Sequence, residues 1–378
     1  MKEQNRLVLP HSQQQLRLLL LQRIESRQHV RFHFRLLLLQ CFYLKDAQPL
    51  FLLNIFFIKS YAATLSEVAQ SAYRRRRLSD KQILITGATG QIGFPVARFL
   101  AEKNEVWGVA RFTDEQNKQH LERLGVSTFT LDLNSNDYGT LPTDFDHVVH
   151  FAVFQGPVAD YDLAISNNAE ATGILMQHCR SAKSVLIAST NSVYKPNENP
   201  WHLYSESDPL GDSIVTHSPT YGISKISQEA VARTMSRVLD LPTTIARINA
   251  SYGDNGGLPK YHCAAIAADK PITLRDSAPS PYSPIHETDL AHQVSHLLDA
   301  ASTPATIVNW CGDEVVTAED WCTFFGSLLG KTPQLLYENV PGSQSGGAAD
   351  PSFRKSITGP CKISWMDGMA TFTEHHVK

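Results

Sequence analysis

The sequence predicts an α/β fold, a doubly wound parallel sheet with helices on both faces, followed by a smaller C-terminal lobe. Three observations lead there. The apolar run Ile83-Leu84-Ile85 turns directly into Thr86-Gly-Ala-Thr-Gly-Gln-Ile-Gly93, a glycine-rich turn between a strand and a helix. From residue 81 onward, short β-type runs alternate with helical stretches. After Asn249 the alternation loosens into Gly/Pro-rich segments. At 378 residues, 42% hydrophobic and 19% charged, the chain has ample core for such a fold and the composition of an ordinary globular protein.

Residues 1–79 precede the fold and differ from it. No glycine occurs before Gly87, and Leu- and Gln-rich stretches are punctuated by Arg17, Arg23, Arg27, Arg31 and Arg35. This segment reads as a poorly ordered or loosely helical extension. Its Arg-rich, acid-poor composition also resembles an organelle-targeting leader. The patch Leu50–Ile58 is far shorter than the ~20 residues that cross a bilayer, so no transmembrane segment is expected.

The strands expected are 82–86, 105–110, 127–131, 147–151, 184–188 and 243–248, with helices at 91–103, 114–124, 160–181 and 218–239 between them. Residues 80–250 therefore form a dinucleotide-binding domain. Residues 251–378 form mainly a substrate-binding lobe, with returning elements at 286–301, 306–309 and 317–329. In the glycine turn, Gly87 permits the reversal, Gly90 lets the backbone approach a pyrophosphate, and Gly93 lets the helix pack near the strand. The N–H groups opening that helix, with Thr89, Gln91 and Ile92 beside them, would face the anion.

Charge and cysteine usage exclude several classes. Residues 1–80 carry 13 Lys+Arg against 5 Asp+Glu, so the remainder holds a balance of −11, which argues against a nucleic-acid surface despite the run Arg74–Arg77. The six cysteines form no C-x-x-C pair and no Cys/His cluster with zinc spacing, so no metal is expected. They read as buried thiols in a reducing, cytoplasmic setting.

Arg111 ends the second strand. An acidic residue there would bind the adenosine ribose of NAD, whereas an arginine can pair with the 2′-phosphate of NADP, so NADP is favoured over NAD. Asp132, beside Leu133 after the third strand, is placed to touch the adenine edge or to cap a turn. Tyr221-Gly-Ile-Ser-Lys225 puts a phenol and an ammonium on one helix face. Thr190, in Ser189-Thr-Asn-Ser-Val-Tyr194, lies 31 residues upstream at the end of the fifth strand, so its hydroxyl and the phenol would share one edge of the sheet.

With these motifs in order, and with His150-Phe-Ala152, Asn168–Thr172, Arg247–Gly253 and His286–Ala291, residues 81–378 resemble the extended short-chain dehydrogenase/reductase family, the NAD(P)-dependent epimerase/dehydratase group, a Rossmann-type fold. The resemblance implies an NAD(P)-dependent epimerase or oxidoreductase. Tyr221 would be its general acid/base, Lys225 would lower the phenol pKa and hold the cofactor ribose, and Thr190 would donate to the reacting oxygen. Phe151, Ala152 and Asn168 join the cofactor-binding set, and Asn249 and Tyr282 the substrate-binding set. A small-molecule substrate follows, and a homodimer is compatible.

The sequence also departs from the family. Many members that act on nucleotide sugars carry an arginine where Tyr282 stands, and a tyrosine cannot neutralise a diphosphate; Arg275, seven residues earlier, is a candidate substitute. Sugar dehydratases of the family have Asp and Glu directly after the catalytic Thr, where this chain has Asn191 and Ser192, so 4,6-dehydration is disfavoured. The substrate is then a sugar, a nucleotide sugar or a smaller carbonyl compound. The competing class is a cofactor-sensing or RNA-associated binding protein on the same fold. Such regulators commonly lose the Tyr/Lys pair that is intact here.

Overall fold

A computed structural model describes residues 78–373, apart from 136, 158, 212, 216, 276–278 and 345. The described residues form one compact unit. The extension expected over 1–79, with its targeting composition, lies outside the described residues except for its last two positions.

Seven strands build the central sheet: β1 (Gln82–Thr86), β2 (Glu105–Ala110), β3 (Ser127–Thr130), β4 (His147–His150), β5 (Ser184–Thr190), β6 (Thr243–Ile248) and β7 (Thr306–Trp310). All adjacent pairs run parallel, in the spatial order β7-β6-β5-β4-β1-β2-β3. The fold is thus the doubly wound Rossmann-type sheet the alternation predicts. Parallel strands covered on both faces bury every side chain, and β4, β5 and β6 are buried at each position.

The helices are α1 (Gly93–Ala101), α2 (Glu115–Arg123), α3 (Tyr161–Ile165), α4 (Ala171–His178), α5 (Tyr221–Val238), α6 (Leu258–Ala267), α7 (Glu287–Asp299), α8 (Ala318–Leu329), α9 (Ser352–Thr358) and α10 (Trp365–Ala370). Alternation along β1 divides the core. Ile83 and Ile85 pack with Val96 of α1 and with Leu290 and Val294 of α7, while Leu84 packs on the other face with Leu175 of α4 and Ala232 of α5. Each of these fully buried Ile, Leu and Val side chains contributes about 1.5–3 kcal/mol.

The structure refines the sequence boundaries in three places. The helix expected over 160–181 is interrupted by a π-helical turn, Ser166–Glu170, between α3 and α4. β5 runs two residues further than expected, so Ser189 and Thr190 are strand residues with side chains on opposite faces. The Gly/Pro-rich stretch after Gly253 contains α6, whose first turn accommodates Pro259 because no N–H is required there. A third apolar cluster around Trp321, with Tyr252, Ile266, Phe325 and Phe372, forms the interior of the C-terminal lobe.

Candidate active site

β1 neighbours both β2 and β4, so the order of the sheet reverses there and a crevice opens beyond the carboxyl ends of these strands. The glycine turn enters this crevice. Gly87 has φ +67°, and a Cβ on it would lie 2.7 Å from the Ala152 nitrogen at the end of β4. A Cβ on Gly93 would lie 2.1 Å from the Gly87 carbonyl oxygen. Gly90 N donates to Gly87 O at 2.9 Å, and Phe94 N to Gly90 O at 3.0 Å, which closes the turn onto α1.

A cavity of about 280 Å³ lies against it, lined by Gly87, Thr89, Gly90, Arg111, Asp132, Leu133, Phe151 and Ala152 among the expected residues. Thr113, Asn117, Phe154 and Asn167 also line it, and sequence reasoning missed all four. They come from the loop after β2, the first turns of α2, the loop after β4 and the π turn. No local motif marks these positions. The set fits an adenosine dinucleotide: a backbone cradle for phosphate, an exposed arginine at the end of β2 and apolar walls.

Several expected cofactor residues are engaged with the protein itself. Gln91 Nε2 donates to Ser251 O and Oγ at 3.1 and 2.9 Å, tying the glycine turn to the start of the lobe. Ile92 is the N-cap residue of α1 and packs against the core. Asp132 Oδ1 accepts from Asn134 N at 3.1 Å, so it caps a turn while lining the cavity. Asn168, buried in the π turn, accepts from Phe154 N at 2.7 Å and donates to Phe154 O and Ser224 Oγ at 3.0 and 2.9 Å. It braces the loop after β4 against α5.

Thr190 and Tyr221 come together at the carboxyl end of β5, and Lys225 lies against the backbone of the same strand. Burial raises the Tyr221 phenol pKa, and the Thr190 hydroxyl is close enough to oppose that rise. Thr190 Oγ1 also accepts from Ser192 N at 3.2 Å. Lys225, 2% exposed, donates to Ala188 O at 2.7 Å and to Gln228 Oε1. Burial pulls its ammonium down to about 7, with the Glu229 carboxylate opposing.

Ser189 faces the other way. Its hydroxyl donates to Glu229 Oε1 at 2.6 Å, and Glu229 is held by Arg247 through Nε at 2.9 Å and Nη2 at 2.7 Å. The Arg247 guanidinium sits 4.8 Å over the Tyr194 ring, whose hydroxyl donates to Asn309 Oδ1 at 2.6 Å. The strand alternation therefore gives Thr190 to the tyrosine and Ser189 to a buried ion pair.

Of the expected substrate residues, Asn249 uses its amide internally. It donates to Gly347 O at 2.5 Å and accepts from Ala250 N and Ser283 N at 2.9 and 3.0 Å, anchoring two segments of the lobe. Tyr282 tilts against Trp321 at 5.4 Å, and the Arg275 guanidinium is close enough to oppose the burial that raises its phenol pKa. Arg275 is therefore beside Tyr282 in space as well as in sequence. Asn191 is buried, and its Oδ1 has no hydrogen-bond partner among the described residues.

Among the described residues no helix is long and apolar enough to cross a membrane. No curated protein matches the chain by sequence. In fold it is similar to UDP-glucuronic acid 4-epimerase from Bacillus cereus in complex with UDP-glucuronic acid and NAD, with 23% identity, TM-score 0.68, and coverage of 78% of this chain and 99% of that one. It is similar to the UDP-glucose 4-epimerase of Thermus thermophilus complexed with NAD, with 21% identity, TM-score 0.66 and coverage of 78% and 99%. It also resembles DesIV, a dTDP-glucose 4,6-dehydratase from Streptomyces venezuelae, with 19% identity, TM-score 0.66 and coverage of 78% and 97%. The sequence model of the NAD dependent epimerase/dehydratase family matches residues 83–310, from the first strand of the sheet to the last. The chain belongs to the NAD dependent epimerase/dehydratase family of enzymes.

Proposed function

We propose that the protein is an NAD(P)-dependent epimerase or oxidoreductase acting at a secondary alcohol or ketone of a sugar or nucleotide sugar, with Thr190, Tyr221 and Lys225 at its reaction centre. The observation that supports this reading is the closeness of the Thr190 hydroxyl to the Tyr221 phenol at the end of β5, with the buried Lys225 held against Ala188 of the same strand. When bound, the nicotinamide supplies the acceptance and return of a hydride.

The chain supplies position and a proton. Tyr221 removes the proton of the substrate hydroxyl as the carbonyl forms and returns it on reduction. Burial disfavours the phenolate and Thr190 opposes that; in this reading the Lys225 ammonium adds its positive charge to the support of the phenolate. Thr190 donates to the reacting oxygen, where negative charge develops. Thr89, Gly90 and the opening of α1 would hold the pyrophosphate, and Arg111, which lines the same cavity, would favour NADP through its 2′-phosphate. Asn191 and Ser192 hold no proton to transfer at neutral pH, so the reading keeps epimerisation and oxidoreduction and leaves out 4,6-dehydration. The solved structures with UDP-sugars and NAD support the nucleotide-sugar branch.

Tyr221→Phe tests the centre. It is expected to abolish turnover of UDP-sugars and simple sugar ketones while binding cofactor with unchanged affinity, and an active Phe variant would refute the assignment. Mass spectrometry of small molecules retained by the purified protein separates the two branches. Retained NAD⁺ supports an epimerase, which recycles its cofactor, and an empty site filled by added NADPH supports a reductase.

A further inference from the structure

Gln228 is fully buried on α5, one turn beyond Lys225, and no motif reading singles it out. Its amide lies between two groups: Lys225 Nζ donates to it, and its Nε2 is 2.9 Å from Thr172 Oγ1. The orientation of this amide follows from the protons around it. Thr172 donates its one hydroxyl proton to Asn168 O at 2.6 Å, so toward every other neighbour it only accepts. Gln228 must therefore turn its NH2 to Thr172 and its carbonyl to Lys225. The same argument fixes His150, whose Nε2, 2.9 Å from Thr172 Oγ1, carries the proton. Its Nδ1 then accepts from Thr86 Oγ1 at 2.6 Å, and Thr86 Oγ1 accepts from Ala152 N at 3.2 Å. The directions of these bonds are mutually consistent.

We propose that Gln228 is the positioning residue for Lys225, its carbonyl and that of Ala188 holding two of the three ammonium donors so that one remains for the reaction centre. This rests on the Thr190–Tyr221–Lys225 reading above. The surroundings give the amide its weight. Of the charged or titratable groups packed against the ammonium, His150 on β4 is held neutral, its pKa pushed by burial to about 3. Glu229 on α5 is tied to Arg247 of β6 and to Ser189 of β5. Tyr221, on α5 itself, is the group Lys225 serves. Gln228 therefore supplies a fixed, uncharged acceptor that favours the ammonium without cancelling its field at the phenol. Replacing it by an apolar side chain lowers the Lys225 pKa further and weakens the support for the Tyr221 phenolate.

The test is the near-ultraviolet titration of the phenolate in the full-length protein saturated with NAD⁺. Tyr221→Phe is subtracted to isolate one of the 12 tyrosines. The wild-type difference is expected to show a step below the ordinary tyrosine range of about 10. In Gln228→Met that step moves up by about one unit or more. Gln228→Glu, which keeps a polar acceptor in the same space, covers the case in which the Met variant fails to fold; its negative charge cancels the ammonium field and also moves the step up. An unmoved step in a folded, NAD⁺-saturated Gln228 variant overturns the proposal and leaves the Tyr221 assignment intact. A wild-type difference with no step below the ordinary range overturns the reading of the centre, and the proposal with it.

Discussion

Gly93→Ala puts a single methyl group where the glycine turn is tightest. The new Cβ would lie 2.1 Å from the Gly87 carbonyl oxygen, 2.9 Å from its carbon and 3.2 Å from the Ala88 Cα, all of them backbone atoms that cannot rotate away. Relief requires α1 and the turn to separate by roughly 1 Å, and overpacking of this kind costs about 1–3 kcal/mol. Alanine returns at most about 1 kcal/mol of helix propensity, and less at the first helical position, so the clash wins. The separation also displaces N–H groups that face the pyrophosphate. At about 1.5–3 kcal/mol for hydrogen bonds to a charged group, the loss corresponds to a roughly 10- to 100-fold weaker Kd for the dinucleotide. Thermal unfolding and a fluorescence titration with NAD⁺ and NADPH measure the two effects. Gly90→Ala, whose Cβ would stand 3.1 Å from the same oxygen, serves as the milder comparison and loses less stability. A Gly93→Ala protein with unchanged melting temperature and cofactor affinity would show that the turn does not work as described.

Glu229→Gln leaves Arg247 buried without its counter-charge and is expected to cost about 3–5 kcal/mol in urea unfolding; a loss under about 1 kcal/mol refutes the buried pair as a structural anchor. His150, with its folded pKa pushed by burial to about 3, binds no proton between that value and its ordinary 6.5, whereas the unfolded chain does. Stability must therefore rise with pH across this window, by up to about 1.4 kcal/mol per unit for this group. His150→Gln should remove one proton from the slope of a pH series of denaturation curves, and an unchanged slope contradicts the neutral imidazole. Arg111→Ala is expected to weaken NADPH binding about tenfold or more with little effect on NADH. Equal losses for both, by titration, would end the NADP preference.

Much of the fold was legible because buried parallel strands leave continuous apolar runs. Ile83–Ile85 and the strands at 184 and 243 need no long-range information to be seen, and their spacing left room only for crossover helices. That Thr190 and Tyr221 share one end of the sheet was legible through their order along the chain. The choice between Ser189 and Thr190 was not, because both are small hydroxyl residues; only the extension of β5 to residue 190 and a carboxylate 40 residues away separate them. The π turn at Ser166–Glu170 was hidden because its one-residue excess leaves the helical composition unchanged. Asn249 reads equally as a substrate ligand or a turn residue in sequence, and its lobe partner Gly347 lies 98 residues on. Gln228 was missed for a related reason: nothing local tells a buried glutamine from an exposed one.

The last strand of the sheet has a consequence for how the protein is made. β7 pairs with β6 only after the chain has passed through more than fifty intervening residues, so a nascent chain that has reached residue 250 carries β6 as an unpaired, apolar edge. The buried Asn309, which anchors Tyr194 beneath Arg247, arrives with the same strand. Until it does, the ion pair behind the reaction centre lacks one wall. The segment 249–305 must therefore be made before the sheet can finish, and a chain that ends within it carries six of the seven strands with an open apolar edge.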